Sequence, residues 1–216
     1  MSTSLLFELI LSTGETLYMV LVSGLLAMLF GLPLGVLLFS TRQANLLPWP
    51  LLNKSLSLII NMARSIPFII LMLAIIPVTR FIVGTSIGTS AAIVPLSLAA
   101  IPFFARMVEN NLNQLPSGLI ETGLAMGATT WQIPSILLTE ALPGIIGTLT
   151  TTFITLVGYS AMAGAVGGGG LGDLAIRYGY QRFDATVMIL TIAILIVLVQ
   201  GLQHLGDYWA KRLNHR

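Results

Sequence analysis

Side chains able to do chemistry are scarce in this chain, and the scarcity is its first constraint. The only lysines are Lys54 and Lys211, and neither follows a glycine loop, so there is no G-x-x-x-x-G-K-[ST] cradle for a nucleotide phosphate. Cysteine is absent, which removes disulfides, thiol nucleophiles and cysteine metal sites. His204 and His215 lie near the C-terminus with no metal-ligand spacing between them. No Ser/His/Asp set or carboxylate pair stands close enough in sequence to suggest a reaction. The chain reads as a machine without its own motor: no enzyme, and no cofactor of its own.

Two stretches remain as candidates. Residues 121–143, ETGLAMGATTWQIPSILLTEALP, are moderately polar, lack Lys and Arg, and lie between long apolar runs. They read as a short helix, a turn at Gly127 to Thr130, and a second helical run stopped by Pro143. Such an elbow has little use in a membrane protein unless something outside the bilayer docks on it. The second stretch is the glycine run AGAVGGGGLG at 163–172. Phosphate loops sit between a strand and a helix, and here a membrane helix precedes, so that reading is poor. A tight return beside a pathway and a plain flexible loop are the alternatives. Just before it, Tyr159 and Ser160 offer a hydroxyl pair and Met162 a thioether. That set suits an apolar or sulfur-containing ligand, although core packing is the commoner fate of a Met.

The elements that must position these residues follow from composition. The chain is 56% hydrophobic and 8% charged, with a mean hydropathy of +0.93. A soluble domain carries about 25% charged residues, so lipid must be the solvent for most of this chain. The ten basic residues are scattered, and a net charge of +2 gives no argument for nucleic acid. Residues 1–14 lack a basic start and a cleavage site of the A-x-A kind, so no removable signal peptide is expected.

A spanning helix needs roughly 20 apolar residues. Five stretches qualify: 17–39, 58–76, 86–105, 145–165 and 185–205, which makes an all-α polytopic membrane protein. Gly31 and Gly35 either form a small-xxx-small contact or fit a kink at Pro33. Glu15 reads as a helix-start charge favourable to the dipole. Arg64 reads as a structural, snorkelling cation at the second span's start. With the N-terminus outside, seven basic residues (Arg42, Lys54, Arg64, Arg106, Lys211, Arg212, Arg216) fall on the cytoplasmic side, against Arg80, Arg177 and Arg182 outside. That asymmetry predicts N-out and C-in, with the elbow in the cytoplasm.

Glu121, Gly127 and the downstream Leu-Pro resemble the cytoplasmic coupling motif of ABC importer permeases: E-A-A, three residues, G, nine residues, I-x-L-P. The resemblance covers nearly the whole chain and narrows to the methionine-type importer permeases. It is carried by ETLYMVLVSG at 15–24, RSIPFII at 64–70, VGTSIGTSAAIVPL at 83–96 and PFFARMVEN at 102–110. LPSGLIE at 115–121, EALPG at 140–144 and TLVGYSAMAGAVGGGGLG at 155–172 complete it.

The resemblance implies one permease domain over 1–216 of the type I importer fold, with five spanning helices and N-out, C-in topology in the bacterial inner membrane. It implies a homodimer whose two copies each dock a coupling segment, about 115–143, into a separate cytoplasmic ATPase subunit. A substrate-binding lipoprotein would deliver methionine from outside. Glu121, Met126, Gly127, Ala128 and Thr129 would form the coupling elbow, and Tyr159, Ser160 and Met162 the substrate path. Gly127 permits backbone closed to other residues, and small Ala128 would allow close approach to a partner. On the residues alone, Gly127 is equally a helix C-cap.

Two departures stand out. The E-A-A triplet is Glu121-Thr122-Gly123, and the segment after Gly127 is one residue short, with Thr139 where the first Pro belongs and Pro134 where a helix-compatible residue is expected. One residue turns a helix by about 100°, so a remodelled elbow tail is expected. The rival functions are the same machine for another amino acid or peptide, an ion-coupled secondary transporter, and a membrane scaffold. The near absence of ionisable residues from the spans counts against the secondary transporter.

Overall fold

In hydrocarbon every backbone N–H and C=O must be satisfied within the segment, so apolar runs of this length fold as helices. The computed structural model describes residues 3–42, 46–116, 118–130 and 132–213, and among them there is no strand. Helix α1 runs Thr3–Ser40, α2 Pro50–Ser65, α3 Phe68–Ala74, α4 Ile76–Val83, α5 Thr89–Asn113, α6 Gly118–Ala125, α7 Ile133–Gly164, α8 Gly170–Leu174 and α9 Ala185–Arg212; a π-helical turn, Ala175–Tyr180, follows α8. Helices α1, α5, α7 and α9 are each long and apolar enough to cross a membrane. Counting the bent pair α2–α3 as one broken span makes five.

These elements depart from the expected spans in three places. Helix α1 begins well before residue 17; its 38 residues make about 57 Å at 1.5 Å per residue, more than a hydrocarbon core of about 30 Å takes up. Glu15 is therefore mid-helix, not a helix-start charge. The second span is not one helix. It breaks between α2 and α3 with a bend of 101°, because Pro67 lacks an N–H and biases Ile66 to extended backbone (φ −81°, ψ 123°). Pro143 does not stop a helix but lies inside α7, which runs unbroken from the elbow through the fourth span. Proline is tolerated there as it is in spanning helices generally.

Helices α1, α5 and α7 form the core, with Met19, Leu96, Phe104, Val108, Leu137 and Leu156 almost fully buried. Glycines set the distances. A Cβ on Gly35 would stand 2.6 Å from the Ala105 carbonyl, and one on Gly31 would stand 3.0 Å from that of Ile101. The small-xxx-small pair is thus a close crossing of α1 over α5, and Pro33 sits inside a continuing helix.

Both ends of the bundle are pinned by polar contacts. At one end the glycine run turns the chain: Gly167, Gly169 and Gly170 have positive φ, and Gly88 N–H bonds to the Gly167 carbonyl. At the other, Arg42 donates to Asn113 (2.7 Å) beside the 121–143 elbow. Helix α1 begins at the glycine end, where Tyr178 donates to Glu8, and α9 ends at the elbow end.

Candidate functional site

The elbow is built from caps. Helix α6 carries Glu121 in its first turn, where the helix dipole favours a carboxylate. It ends in a Schellman turn: Ala128 N–H bonds to the Gly123 carbonyl and Gly127 N–H to that of Leu124, both at 3.0 Å. Gly127 is the left-handed residue of that turn, with φ +87° and nothing within 4 Å of where a Cβ would stand. The C-cap reading of Gly127 is thus met by its geometry, and any substitution would suffer from conformation rather than crowding.

A local bond closes the turn before α7: Gln132 Oε1 accepts from the Thr129 N–H (2.9 Å) and from its hydroxyl (3.1 Å). Pro134 falls at the start of α7, where its missing N–H costs nothing. The proline expected to disturb a helix therefore helps to start one.

The five elbow residues do not all face outward. Glu121, Gly127 and Thr129 are exposed, and Met126 is 84% exposed. Ala128 is half-buried and packs against the core. Gly123, the departure from E-A-A, is buried; a Cβ there would meet Ile133 Cδ1 at 2.6 Å, so glycine lets α6 lie closer to α7. The outward surface carries Leu124 (46% exposed) and Met126, an apolar tip flanked by a carboxylate.

The residues expected along a substrate path are split by helical geometry. Tyr159 stacks on Phe68 of α3, ring centroids 4.6 Å apart and nearly parallel. Met162, three residues on, shares that side and is exposed. Ser160 does not join them: it is buried, and its hydroxyl donates to the Val157 carbonyl at 2.8 Å. The expected Tyr159–Ser160 hydroxyl pair is therefore not formed, since adjacent residues on a helix point about 100° apart. A longer stripe went unread in the sequence. Glu140, Gly144, Gly147, Thr151, Gly158 and Met162 recur every three to seven residues along α7, and all are exposed.

The glycine end is a tight return. A Cβ on Gly164 would lie within 2.3 Å of Asp173 N, and one on Gly172 within 2.3 Å of the Ala161 carbonyl, so α8 folds back on α7 with backbones in contact. Two side chains of α1 cap α8: Glu15 Oε2 accepts from Gly170 N–H (2.7 Å) and Thr16 Oγ1 from Leu171 N–H (2.9 Å). Beyond it Arg177 pairs with Asp173 at 2.6 Å; the hydrogen bond that Arg177 donates to that carboxylate raises the Arg177 pKa above its usual value. Tyr178 donates to Glu8 (2.9 Å) under the Arg182 guanidinium.

The family model described as "Binding-protein-dependent transport system inner membrane component" matches residues 27–216. The chain belongs to that family. It is 54% identical over 209 residues to the probable D-methionine transport system permease protein MetI of Vibrio cholerae, covering 96% of this chain and 93% of that one. The corresponding protein of Pasteurella multocida is 50% identical over 216 residues, covering 99% and 100%. A solved structure described as an inward-facing conformation of the MetNI methionine ABC transporter matches with a TM-score of 0.98 at 50% identity, over the whole of both chains. As a member, the chain is a multi-pass inner-membrane permease subunit.

Proposed function

We propose that this chain is the permease of an ATP-binding-cassette importer that moves methionine into the cell by alternating access. The observation that carries the reading is the full-length match, at 50% identity and a TM-score of 0.98, to the permease fold of a methionine transporter. Its two copies enclose the route, and two separate ATPase subunits hydrolyse the ATP. A substrate-binding lipoprotein supplies methionine at the glycine end.

The 115–143 segment is the coupling element. The exposed Leu124–Met126 tip docks on the ATPase, and the Gly127 turn holds it at a fixed angle to α7. Because α7 is continuous from Ile133 to Gly164, motion of the elbow is carried as a rigid body to Tyr159 and Met162 on the path. The elbow end is cytoplasmic. Arg42, Lys54, Lys211 and Arg212 lie there, against Arg80, Arg177 and Arg182 at the glycine end, an asymmetry of the positive-inside kind. Of the seven counted as cytoplasmic in the sequence, Arg64 and Arg106 lie at mid-depth and drop out of that sum, and Arg216 lies outside the described residues.

The test is uptake of labelled methionine into proteoliposomes that hold this chain and its ATPase, with binding protein and ATP on their proper sides. Accumulation should depend on ATP. Uptake that survives ATP depletion and collapses with the proton gradient would overturn the reading in favour of a secondary transporter. ATPase association with uptake of another amino acid would keep the permease and change its substrate.

A further inference from the structure

Arg64 is placed where a cation is hardest to explain. It lies in the last turn of α2, over the Phe103 ring, 6.0 Å from its centroid. Phe103 is the fifteenth of the 25 residues of α5, so it stands about 21 Å from one end and about 15 Å from the other at 1.5 Å per residue. The α2–α5 pairing fixes this depth independently: Arg106, one turn along α5, pairs with Glu109 and reaches the Ser57 carbonyl (3.4 Å) and Asn61 Oδ1 (3.1 Å) on α2. Arg64 therefore lies near the middle of the bundle and not at the membrane surface.

At that depth Arg106 is neutralised and largely buried, whereas Arg64 is exposed and has no ion pair among the described residues. The chain breaks at the same place. Ile66 and Pro67 leave the helix and are exposed, although non-helical backbone at membrane depth persists only where protein covers it or it lines a water-filled cavity. An unpaired guanidinium and an exposed helix break coincide, and lipid suits neither. Asn61, one turn before Arg64, is also exposed, and its Oδ1 accepts from Arg106 (3.1 Å). Four residues after Arg64, across the bend, Phe68 stacks on Tyr159.

We infer that Arg64 lines the translocation route and binds the α-carboxylate of the passing amino acid, with Asn61 beside it and the Phe68–Tyr159 stack toward the side chain. The inference rests on the permease reading above and names what the route recognises. A planar guanidinium is the group best suited to grip a carboxylate through two parallel hydrogen bonds, and a thioether packs well on aromatic rings. Water in the route solvates the Arg64 guanidinium when no substrate is present.

The test uses the assembled transporter. Arg64→Gln should lower methionine uptake roughly tenfold or more, the scale of losing a charge-assisted hydrogen bond, and Arg64→Lys should restore part of it. Because the chain has no cysteine, Ser65→Cys offers a single thiol with Arg64 left in place. A charged, membrane-impermeant thiol reagent should label it in the complex, and methionine should slow the labelling. Uptake by Arg64→Gln equal to the unaltered protein would overturn the inference alone, as would a Ser65→Cys thiol that is unreactive or indifferent to methionine. If the unaltered transporter took up no methionine, the permease reading itself would fail.

Discussion

Glu15 and Thr16 act in this fold through a helix other than their own. Their side chains accept from Gly170 and Leu171 and tie α1 to the glycine return. Glu15→Ala would leave the Gly170 N–H without its partner, at a cost of about 1–3 kcal/mol. A lowered thermal midpoint of the purified complex should register that loss, with Glu15→Gln recovering part of it. An unchanged midpoint would mean that the α1–α8 tie does not matter to stability. Little of this was legible beforehand. Nothing around Glu15 distinguishes a cap on its own helix from a cap on a segment 155 residues away. Gly127 was more legible, because a glycine after a short helix has few uses. The partial burial of Ala128 was not legible, since smallness says nothing about which way a residue faces.

At the scale of elements, the crossing of α1 and α5 decides how closely the bundle can close. Gly35→Leu would drive a side chain into the Ala105 carbonyl and Val108, both under 3 Å from its Cβ. Overpacking of this kind typically costs about 1–3 kcal/mol. Folded yield and thermal midpoint should fall together, whereas Gly201→Ala, at a site open to 4 Å, should change neither. Equal behaviour of the two variants would contradict the close crossing. The long helices were readable because apolar runs of spanning length admit little else. The break between α2 and α3 was not, since Pro67 could equally have kinked a continuous span. Pro143 shows the converse: the same residue type sits inside α7, whose neighbours support it. Proline marks where a helix can fail, and packing decides whether it does.

For the whole molecule, the account joins an elbow at one end to a route through the middle by a single rigid helix. Helix α7 presents the exposed stripe from Gly144 to Met162, and five spans are few to enclose a polar route. A two-fold pair supplying ten spans offers enough helices to enclose one. The sequence carried this architecture through its resemblance to importer permeases more than through any single residue. A missing residue and a displaced proline in the elbow tail looked disruptive but left α7 intact, because Pro134 falls in the first turn.

The central claim is that the elbow converts ATP hydrolysis into movement of α7. The most direct measurement is methionine taken up per ATP hydrolysed in proteoliposomes, compared between the unaltered chain and Gly127→Val. A β-branched residue at φ +87° distorts the turn. The account predicts that the variant inserts and still assembles with its ATPase, while the ratio falls about tenfold or more, as expected when a rigid link loses its geometry. An unchanged ratio in an assembled Gly127→Val transporter would contradict it.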